Sequence, residues 1–593
     1  MKKCALIWLP FNEPSMPPLG IATLTGYLRR KGFSVHPFDL NVEFYAEMKF
    51  FFKHQPQKIV NMFNSWAYNA MFQQAASSLA FPDMVSQPAF LLWEKRSVYV
   101  NLESFLLSAT ERIIPQFDIV GISVTNVSYM VSVALSRMIK SVSPETFIVW
   151  GGPSISSEHC LEKLNQLDCV DLLISGPGEA PLEEILTQVT QGKKVSEFNC
   201  KHISNNQGQP KSKSLDSEKR LCQKTTHKEA CPDFSSFPIQ LYDHLTFPIQ
   251  TSTGCPWSKC AFCSEAGLSH HVMPLEHTDQ CIDQISLVSE KGSIFFVDSC
   301  INWNLKRLDK ICNIFESKGP KKWTCMARSE RLTQPILRKM KSAGCERVFI
   351  GLESFSDSTL DAMQKGSSKL DHLHAFRLGQ ELGIQLAGNF IIGFPGETAK
   401  DILENIHVLE RYAHLWLNCL FWLSPYAITP GSKIFQKPED YELLIHGHGD
   451  ETQGLPETVS RYVPVWNHHW TYQEKEKNND KKILQLYHQL DTCIQSIQEK
   501  PKPKRYVKKT WKGLAVCEEN RNGRAVKPVV LSRFEGPILK FTSEITSFNC
   551  LKNETGLDIG RLSPLLQKME HSGWIAQSKN RVVRTIPFKG IKI

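Results

Sequence analysis

The stretch that decides the fold is Gly254-Cys255-Pro256-Trp257-Ser258-Lys259-Cys260-Ala261-Phe262-Cys263. The chain carries 18 cysteines in 593 residues, so three of them in one short loop is a concentration that chance does not supply. Three thiolates from one loop can hold three irons of a 4Fe–4S cluster and leave the fourth iron open to another ligand. A structural zinc site is the competing reading, because it needs four ligands and His270 or His271 could complete it. The missing second Cys-x-x-Cys pair weighs against zinc. Disulfides fit worse, since pairing any two of the three leaves one over.

Downstream of the loop, apolar runs rich in β-branched residues alternate with amphipathic patterns. Strands are expected at 293–297, 323–327, 347–351, 386–392 and about 416–423, and helices at 305–317, 334–343, around 358–363 and from 398. Thr398 with Asp401 has capping-box spacing, and Ser354 or Ser356 is placed to cap a helix. Such repeats suggest a full or partial α/β barrel with its active site at the strand C-termini. Upstream, strands at 5–9, 34–40, 118–124, 146–150 and 170–175 alternate with helices, which predicts a doubly wound parallel sheet. Two consecutive strand ends run into glycines, Gly151-Gly152-Pro153 and Gly176-Pro177-Gly178-Glu179. Tight turns need glycine in any case, but the repetition beside Ser123 and Thr125 favours a ligand at that carboxyl edge.

The expected domains are 1–190 with a helical, aromatic insertion at 43–110, a polar linker at 191–235, the barrel at 236–437, a charged extension at 438–528 and a small module at 529–593. The run Lys500-Pro501-Lys502-Pro503-Lys504-Arg505 reads more readily as a solvated linker than as a nucleic-acid patch. In the last module Ile559, Leu562, Leu565, Leu566 and Met569 share one helical face, and a hairpin flanks Ser578-Lys579-Asn580, the pattern of a winged helix. Hydrophobic residues at 41% and charged residues at 22% exclude wholesale disorder and fibrous classes. The net charge of +9 permits an anionic partner without arguing for one. No run reaches the ~18 apolar residues of a membrane span. The opening MKKCALIWLPF meets Pro10 and Glu13 at once, so it reads as a first strand rather than a signal peptide.

The cysteine loop, with Phe262 before its last cysteine, resembles the cluster loop of the radical S-adenosylmethionine (SAM) superfamily, expanded by one residue between the first two cysteines. Val348-Phe349-Ile350-Gly351-Leu352-Glu353-Ser354, then Gly388 to Thr398, then Ser424-Pro425-Tyr426 through Pro430-Gly431-Ser432, are similar to family segments in the same order. The N-terminal unit resembles the cobalamin-binding domain found in some members, through Pro17-Pro18-Leu19-Gly20, Val120 to Thr125, Trp150 to Pro153 and Ser175 to Glu179. The C-terminal module is similar to the end of some members that modify ribosomally made peptides.

This resemblance implies an α/β protein with an N-terminal doubly wound (Rossmann-like) cobalamin-binding domain, a central partial (β/α) radical SAM barrel and a small winged-helix-like α+β module. It implies Cys255, Cys260 and Cys263 as ligands of a 4Fe–4S cluster. Phe262, Asp298, Arg328, Glu353, Ser354, Ile391, Ile392 and Gly393 are implied at SAM. Pro18, Leu19, Gly20, Ser123, Thr125, Gly151, Gly152, Pro153, Gly176, Gly178 and Glu179 are implied at cobalamin. No catalytic residue is singled out. The 10–20 loop lacks the histidine that ligates cobalt in base-off domains, and His36 and His159 lack its spacing, so cobalt is expected without a protein histidine. The activity implied is C-methylation of an unactivated carbon in a peptide or natural product, through a 5′-deoxyadenosyl radical and methylcobalamin. Flavodoxin or ferredoxin would be the reductant, a leader peptide could bind the last module, and the setting would be cytoplasmic, with no membrane or nucleic-acid partner. The alternatives are a non-methylating rearrangement or ring formation, a tRNA methylthiotransferase-like enzyme, and a non-enzymatic, metal-stabilised nucleic-acid-binding protein.

Overall fold

Runs buried on both faces, such as the middle of Lys3–Trp8 and nearly all of Ile119–Ser123 and Phe147–Gly151, belong in a parallel sheet covered by helices on each side. The computed structural model describes residues 2–51, 93–155, 164, 167–193, 203–205, 230–319, 321–448, 470–474, 481–499, 504–510, 513–519 and 525–587. The chain forms two units: Met1–Thr251 with Met273–Phe295 and His448–Trp470, and Ser252–Val272 with Phe296–Gly447 and Thr471–Ile593.

In the first unit β1 (Lys3–Trp8), β2 (Ser34–Asp39), β3 (Ile119–Ser123), β4 (Phe147–Gly151), β5 (Leu172–Ile174) and β6 (Ile203–Asn205) form one sheet in the order β2-β1-β3-β4-β5-β6. The first five are parallel and β6 is antiparallel. Helices α1 (Leu19–Arg30), α2 (Leu40–Phe51), α3 (Trp93–Ile113), α4 (Tyr129–Val142) and α5 (Glu179–Thr190) complete it. The strand order reverses at β1, with β2 on one side and β3 on the other. That switch point opens a crevice at the strand carboxyl ends. One expectation changes here. The 191–235 region is more than linker, because β6 extends the sheet and residues 230–237 are tied to α1, Asp233 N–H donating to Ala22 O at 2.9 Å. The 43–110 insertion begins as α2 and ends as α3, and its middle lies outside the described residues. The unit also holds β7 (Thr246–Ile249), α6 (Leu275–Val288) and most of β10 (Ser293–Phe296).

The second unit opens with a two-stranded ribbon, β8 (Ser252–Thr253) and β9 (His271–Val272), which closes the base of the cysteine loop through Ser252↔Val272 and Thr253↔His271. Strand–helix repeats follow: α7 (Leu305–Ser317), β11 (Trp323–Ala327), α8 (Gln334–Ser342), β12 (Cys345–Glu353), α9 (Asp357–Ala362), α10 (Lys369–Leu382), β13 (Gln385–Ile392), α11 (Ala399–Arg411) and β14 (Cys419–Pro425). β11 to β14 are parallel neighbours in sequence order, the arc of a (β/α) barrel. Alternate residues such as Val348, Ile350, Leu386 and Phe390 are buried under the helices. The opposite face carries Phe349, Asn389, Ile391 and Ser424, all only half-buried, and Trp422, which is exposed. A filled barrel would pack those inward positions; here they line an open interior.

The charged extension is the largest departure from expectation. After α12 (Lys433–Gln436), β15 (Leu443–His448) and β16 (Trp470–Glu474), the chain forms α13 (Lys481–Glu499) and an antiparallel meander of β17 (Lys504–Thr510), β18 (Gly513–Glu519) and β19 (Ala525–Val530). Lys504 and Arg505 therefore begin a strand rather than a linker. The strand signal is hidden by charge: Lys504 and Lys508 are exposed, while Arg505 lies on the face of the fully buried Val507 and pairs with Glu518 at 2.7 Å. Then α14 (Glu535–Phe541), β20 (Thr546–Ser547), α15 (Phe548–Thr555), α16 (Ile559–His571), β21 (Ile575–Ser578) and β22 (Arg581–Arg584) follow in the element order of a winged helix. Val507 and Val516 of the meander share one core with Leu562, Leu566, Met569 and Ile575, so the meander and the winged helix pack as one body.

That body is built onto α10. Glu381 accepts from Arg377 at 2.7 Å and from Arg584 at 3.2 Å, and both guanidiniums are 1% exposed. Burial and the neighbouring Arg377 pull Arg584 down to about 9. His374 pairs with Glu544 at 2.9 Å, Lys579 with Asp361 at 2.9 Å, and the Ser578 hydroxyl donates to Asp357.

Candidate active site

The cysteine loop is fixed by its backbone. Ala261 N–H donates to Met363 O at 2.9 Å, Ile434 N–H to Ala261 O at 3.1 Å, and the indole N–H of Trp257 to Gln364 O at 3.1 Å. Ser258, at a φ of 50°, turns the chain inside the loop, and its hydroxyl accepts from Gly267 N–H at 2.6 Å. Met363 and Gln364 directly follow α9 and Ile434 lies in α12, so three of these anchors come from outside the loop and hold it in one shape.

The three thiols share one environment. Burial raises Cys260, with Lys365 and Arg328 lowering it and Glu353 and Cys255 raising it further. Burial also pushes Cys263 up to about 11, and both Cys260 and Cys255 add to the rise. Charge on a neighbouring sulfur thus opposes ionisation of Cys260 and of Cys263, a tension that iron bound to the loop would relieve. The donor set fits a 4Fe–4S cluster: soft sulfur ligands from one pinned loop, with two fixed cations nearby.

Those cations are ordered by a network that sequence reasoning did not find. Lys365 pairs with Glu353 at 2.8 Å, with side chains 11% and 9% exposed, and its ammonium lies 5.8 Å from the Phe262 ring centroid. Burial pulls Lys365 down, but Glu353 and Cys260 more than offset it, so the ammonium holds its proton more firmly than usual. Arg328 donates to Lys365 O, pairs with Glu330 and lies 4.6 Å over the Trp257 ring. Asn302 fixes the Arg328 backbone from both sides, at 2.8 and 3.0 Å. Glu353 itself sits at a φ of 58°, a strained conformation for a non-glycine residue, beyond a register shift in β12. The structure therefore brings Cys260, Phe262, Arg328 and Glu353 together.

The other residues implied at SAM are distributed differently. Asp298 is fully buried and accepts from the Ser252 hydroxyl at 2.6 Å. Ile391 and Ile392 are half-buried at the end of β13. Gly393 N–H donates to Glu397 at 2.8 Å, as does the Tyr487 hydroxyl of α13, and burial raises Glu397 to about 7. Ser354 turns away: its hydroxyl accepts from Ser356 N–H at 3.0 Å and donates to Asn405 at 3.1 Å. Ser356 donates to Asp401 at 2.6 Å and makes no side-chain cap. Neither serine caps a helix, whereas Thr398 and Asp401 form the expected capping box.

At the first sheet, Ser123, Thr125, Gly151, Gly152, Pro153, Gly176, Gly178 and Glu179 follow the carboxyl ends of β3, β4 and β5, and Pro18, Leu19 and Gly20 end the loop after β1. Thr125 is committed to Asn12 at 3.0 Å and Ser128 at 2.9 Å. Ser123 is half-buried. Gly152 has a φ of 105°, and a Cβ there would lie 2.7 Å from Val124 N. His36 lies on an exposed face within β2, away from the carboxyl edge, and His159 is outside the described residues.

Residues 249–409 match the radical SAM superfamily. That segment is a radical SAM domain, which supports an enzyme, and the superfamily it matches uses a 4Fe–4S cluster and SAM. The chain is 25% identical over 356 residues to an uncharacterized methyltransferase of Pyrococcus horikoshii, covering 58% of this chain and 74% of that protein. Its fold is similar to that of the radical SAM methyltransferase TsrM from Kitasatospora setae, solved with cobalamin and a 4Fe–4S cluster. The TM-score is 0.51 and the identity 13%, over 84% of this chain and 89% of that one. It is also similar to the cobalamin-dependent SAM radical enzyme OxsB, with a TM-score of 0.52 and 16% identity over 84% and 72%. What is shared is the fold, a doubly wound parallel-sheet domain followed by a TIM-like barrel domain; in the neighbours the former binds cobalamin.

Proposed function

We propose that the protein is a cobalamin-dependent radical SAM C-methyltransferase acting on an unactivated carbon of a peptide or natural-product substrate. The observation that carries this reading is one chain holding both a three-thiol loop whose sulfurs share one electrostatic environment and a β2-β1-β3-β4-β5 sheet with a switch-point crevice. The relatives' names supply methyl transfer.

Cys255, Cys260 and Cys263 would hold the cluster. Bound together, the cluster, SAM and cobalamin supply one-electron cleavage of a sulfonium C–S bond and a methyl carrier. The protein's part is placement. Arg328 and the Lys365–Glu353 pair set the charge beside Cys260, and Trp257 and Phe262 cover these cations. Asp298, carboxylate-bearing and closed off with Ser252, is offered to the amino end of SAM, and Ile391, Ile392 and Gly393 to its adenosine. The half-buried face with Asn389, Ile391 and Ser424 leaves room for substrate beside them; Ser424 donates to Asn389 at 2.9 Å. On the first sheet Ser123 is the hydroxyl offered to cobalamin, while Gly152 shapes the strand end.

A radical SAM enzyme needs a reductant; we assign that role to flavodoxin or ferredoxin in a reducing cytoplasm. No helix among the described residues is long and apolar enough to cross a membrane. The wing offers little room for a leader peptide along β21, because Gln577 N–H already donates to Glu570 at 2.9 Å and Ile575 O accepts from Tyr412 at 3.2 Å. Anaerobic reconstitution with iron, sulfide and cobalamin, followed by SAM bearing a deuterated methyl group, tests the assignment. Reductive formation of 5′-deoxyadenosine with label in the product supports it. Cleavage without methyl gain would shift the reading to a rearrangement or ring formation, and no cleavage would sink it.

A further inference from the structure

Cys231, His277 and Cys281 form a cluster in the first unit that none of the chemistry above uses. Their ligand atoms all lie within 4.8 Å of one another, and all three residues are buried. His277 and Cys281 are four residues apart on α6, which puts both side chains on one face. Cys231 reaches them on a strap whose path is fixed: its carbonyl oxygen lies 2.2 Å from where a Cβ on Gly26 would stand, so only glycine admits it. Arg29 pairs with Asp233 of the same strap at 2.8 Å.

The spacing is that of metal ligands. Cys231 Sγ is 3.7 Å from His277 Nδ1, and Cys281 Sγ is 3.5 Å from His277 Nε2. Metal–sulfur bonds of about 2.3 Å and metal–nitrogen bonds of about 2.0–2.1 Å give a tetrahedral S···N edge of about 3.6 Å. The two separations bracket that edge. A modest turn of the imidazole presents one nitrogen to an ion held by both sulfurs.

We propose that Cys231, His277 and Cys281 hold a zinc-class divalent cation that fastens the 230–237 strap to α6. The fourth corner faces a cleft of about 410 Å³ lined in part by Tyr27, Arg30, Glu276 and Gln280. Gln280 Oε1 is 3.9 Å from Cys231 Sγ, so this amide oxygen or a water completes the set. Binding expels the two thiol protons into solvent, so the grip tightens as pH rises. Two soft sulfurs and an imidazole select zinc over magnesium or calcium.

Zinc content of the anaerobically prepared full chain, combined with X-ray absorption at the zinc edge, reads this site without interference from iron or cobalt. About one zinc per chain is expected, with sulfur and nitrogen in its first shell. C281S and H277N are each expected to weaken zinc binding at least about tenfold while iron content is unchanged, and the exposed control C550S to retain zinc. If C281S does not fold, the wild-type chain still decides: zinc should shield Cys231 and Cys281 from iodoacetamide, and a chelator should expose them. No zinc after loading, undiminished zinc in both variants, or a Cys231–Cys281 disulfide in the anaerobic protein would overturn the proposal.

Discussion

At the carboxyl edge of β3 and β4 the polar groups are backbone atoms and short hydroxyls that largely satisfy one another: Val124 N–H reaches Gly151 O at 2.8 Å, and Thr125 is committed to Asn12 and Ser128. Beyond β11 and β12 the polar groups are thiols, two buried cations and the carboxylates that hold them. The first edge is shaped by sterics and presents a neutral surface. The second is shaped by charge and would be unstable without its partners. A large, near-neutral ligand face suits the former; thiolates and a charged sulfonium suit the latter.

The largest expected effect breaks the charged edge outright. Cys255→Ala, Cys260→Ala or Cys263→Ala should reduce 5′-deoxyadenosine formation to background and lower bound iron, read by product assay and iron analysis. Full cleavage in any one of them would remove that cysteine from the ligand set. Next, Lys365→Met leaves Glu353 buried without its cation, a loss of about 3–5 kcal/mol in stability. Denaturant unfolding should show this loss, with most of it recovered in the Glu353→Gln, Lys365→Met double variant. An unchanged midpoint would mean the pair is exposed in solution.

The neutral edge should respond to shape alone. Gly152→Ala combines a positive φ with a Cβ 2.7 Å from Val124 N, so about 2–3 kcal/mol of stability and tight cobalamin binding should go together. Gly20→Ala meets nothing within 4 Å and should stay within about 0.5 kcal/mol. Equal effects at both positions would erase the steric account.

The smallest effect concerns Glu397. Its pKa in the fold, about 7, exceeds the ordinary carboxyl value, so between about pH 4.5 and 7 the folded chain binds more protons than the unfolded one. Stability should therefore fall as pH rises through that window, by about 1–3 kcal/mol. Glu397→Gln keeps an acceptor for Gly393 and Tyr487 and should flatten that slope. A slope unchanged in the variant would assign the titration elsewhere.

The sequence made the periodic parts legible. Parallel strands announce themselves by apolar runs, so β3, β4, β11 and β13 fall close to expectation, and the cysteine spacing pointed directly to the loop. Residues whose partners are remote were not legible. Lys365 lies twelve positions from Glu353, Asn405 is 51 from Ser354, and Tyr487 is 90 from Glu397. Nothing local marks any of them. Ser354 was misread because a serine at a strand end caps a helix as readily as it binds a buried amide. The meander was missed because the charges Lys504, Arg505 and Lys508 surround a short buried pair, Tyr506 and Val507. The pairing of His277 with Cys281 one helical turn on was the one available signal for the buried Cys231 cluster.

The buried Glu381 bridge also sets a clock. Glu381 and Arg584 are 203 residues apart in the chain. At about 5–20 residues per second of synthesis, α10 leaves the ribosome roughly 10–40 s before Arg584 exists. During that interval Arg377 and Glu381 stand on an uncovered surface that is meant to be interior. The barrel thus spends its first moments in the cell as an exposed intermediate, and the body carrying Arg584 acts as a closing clasp rather than an interchangeable attachment.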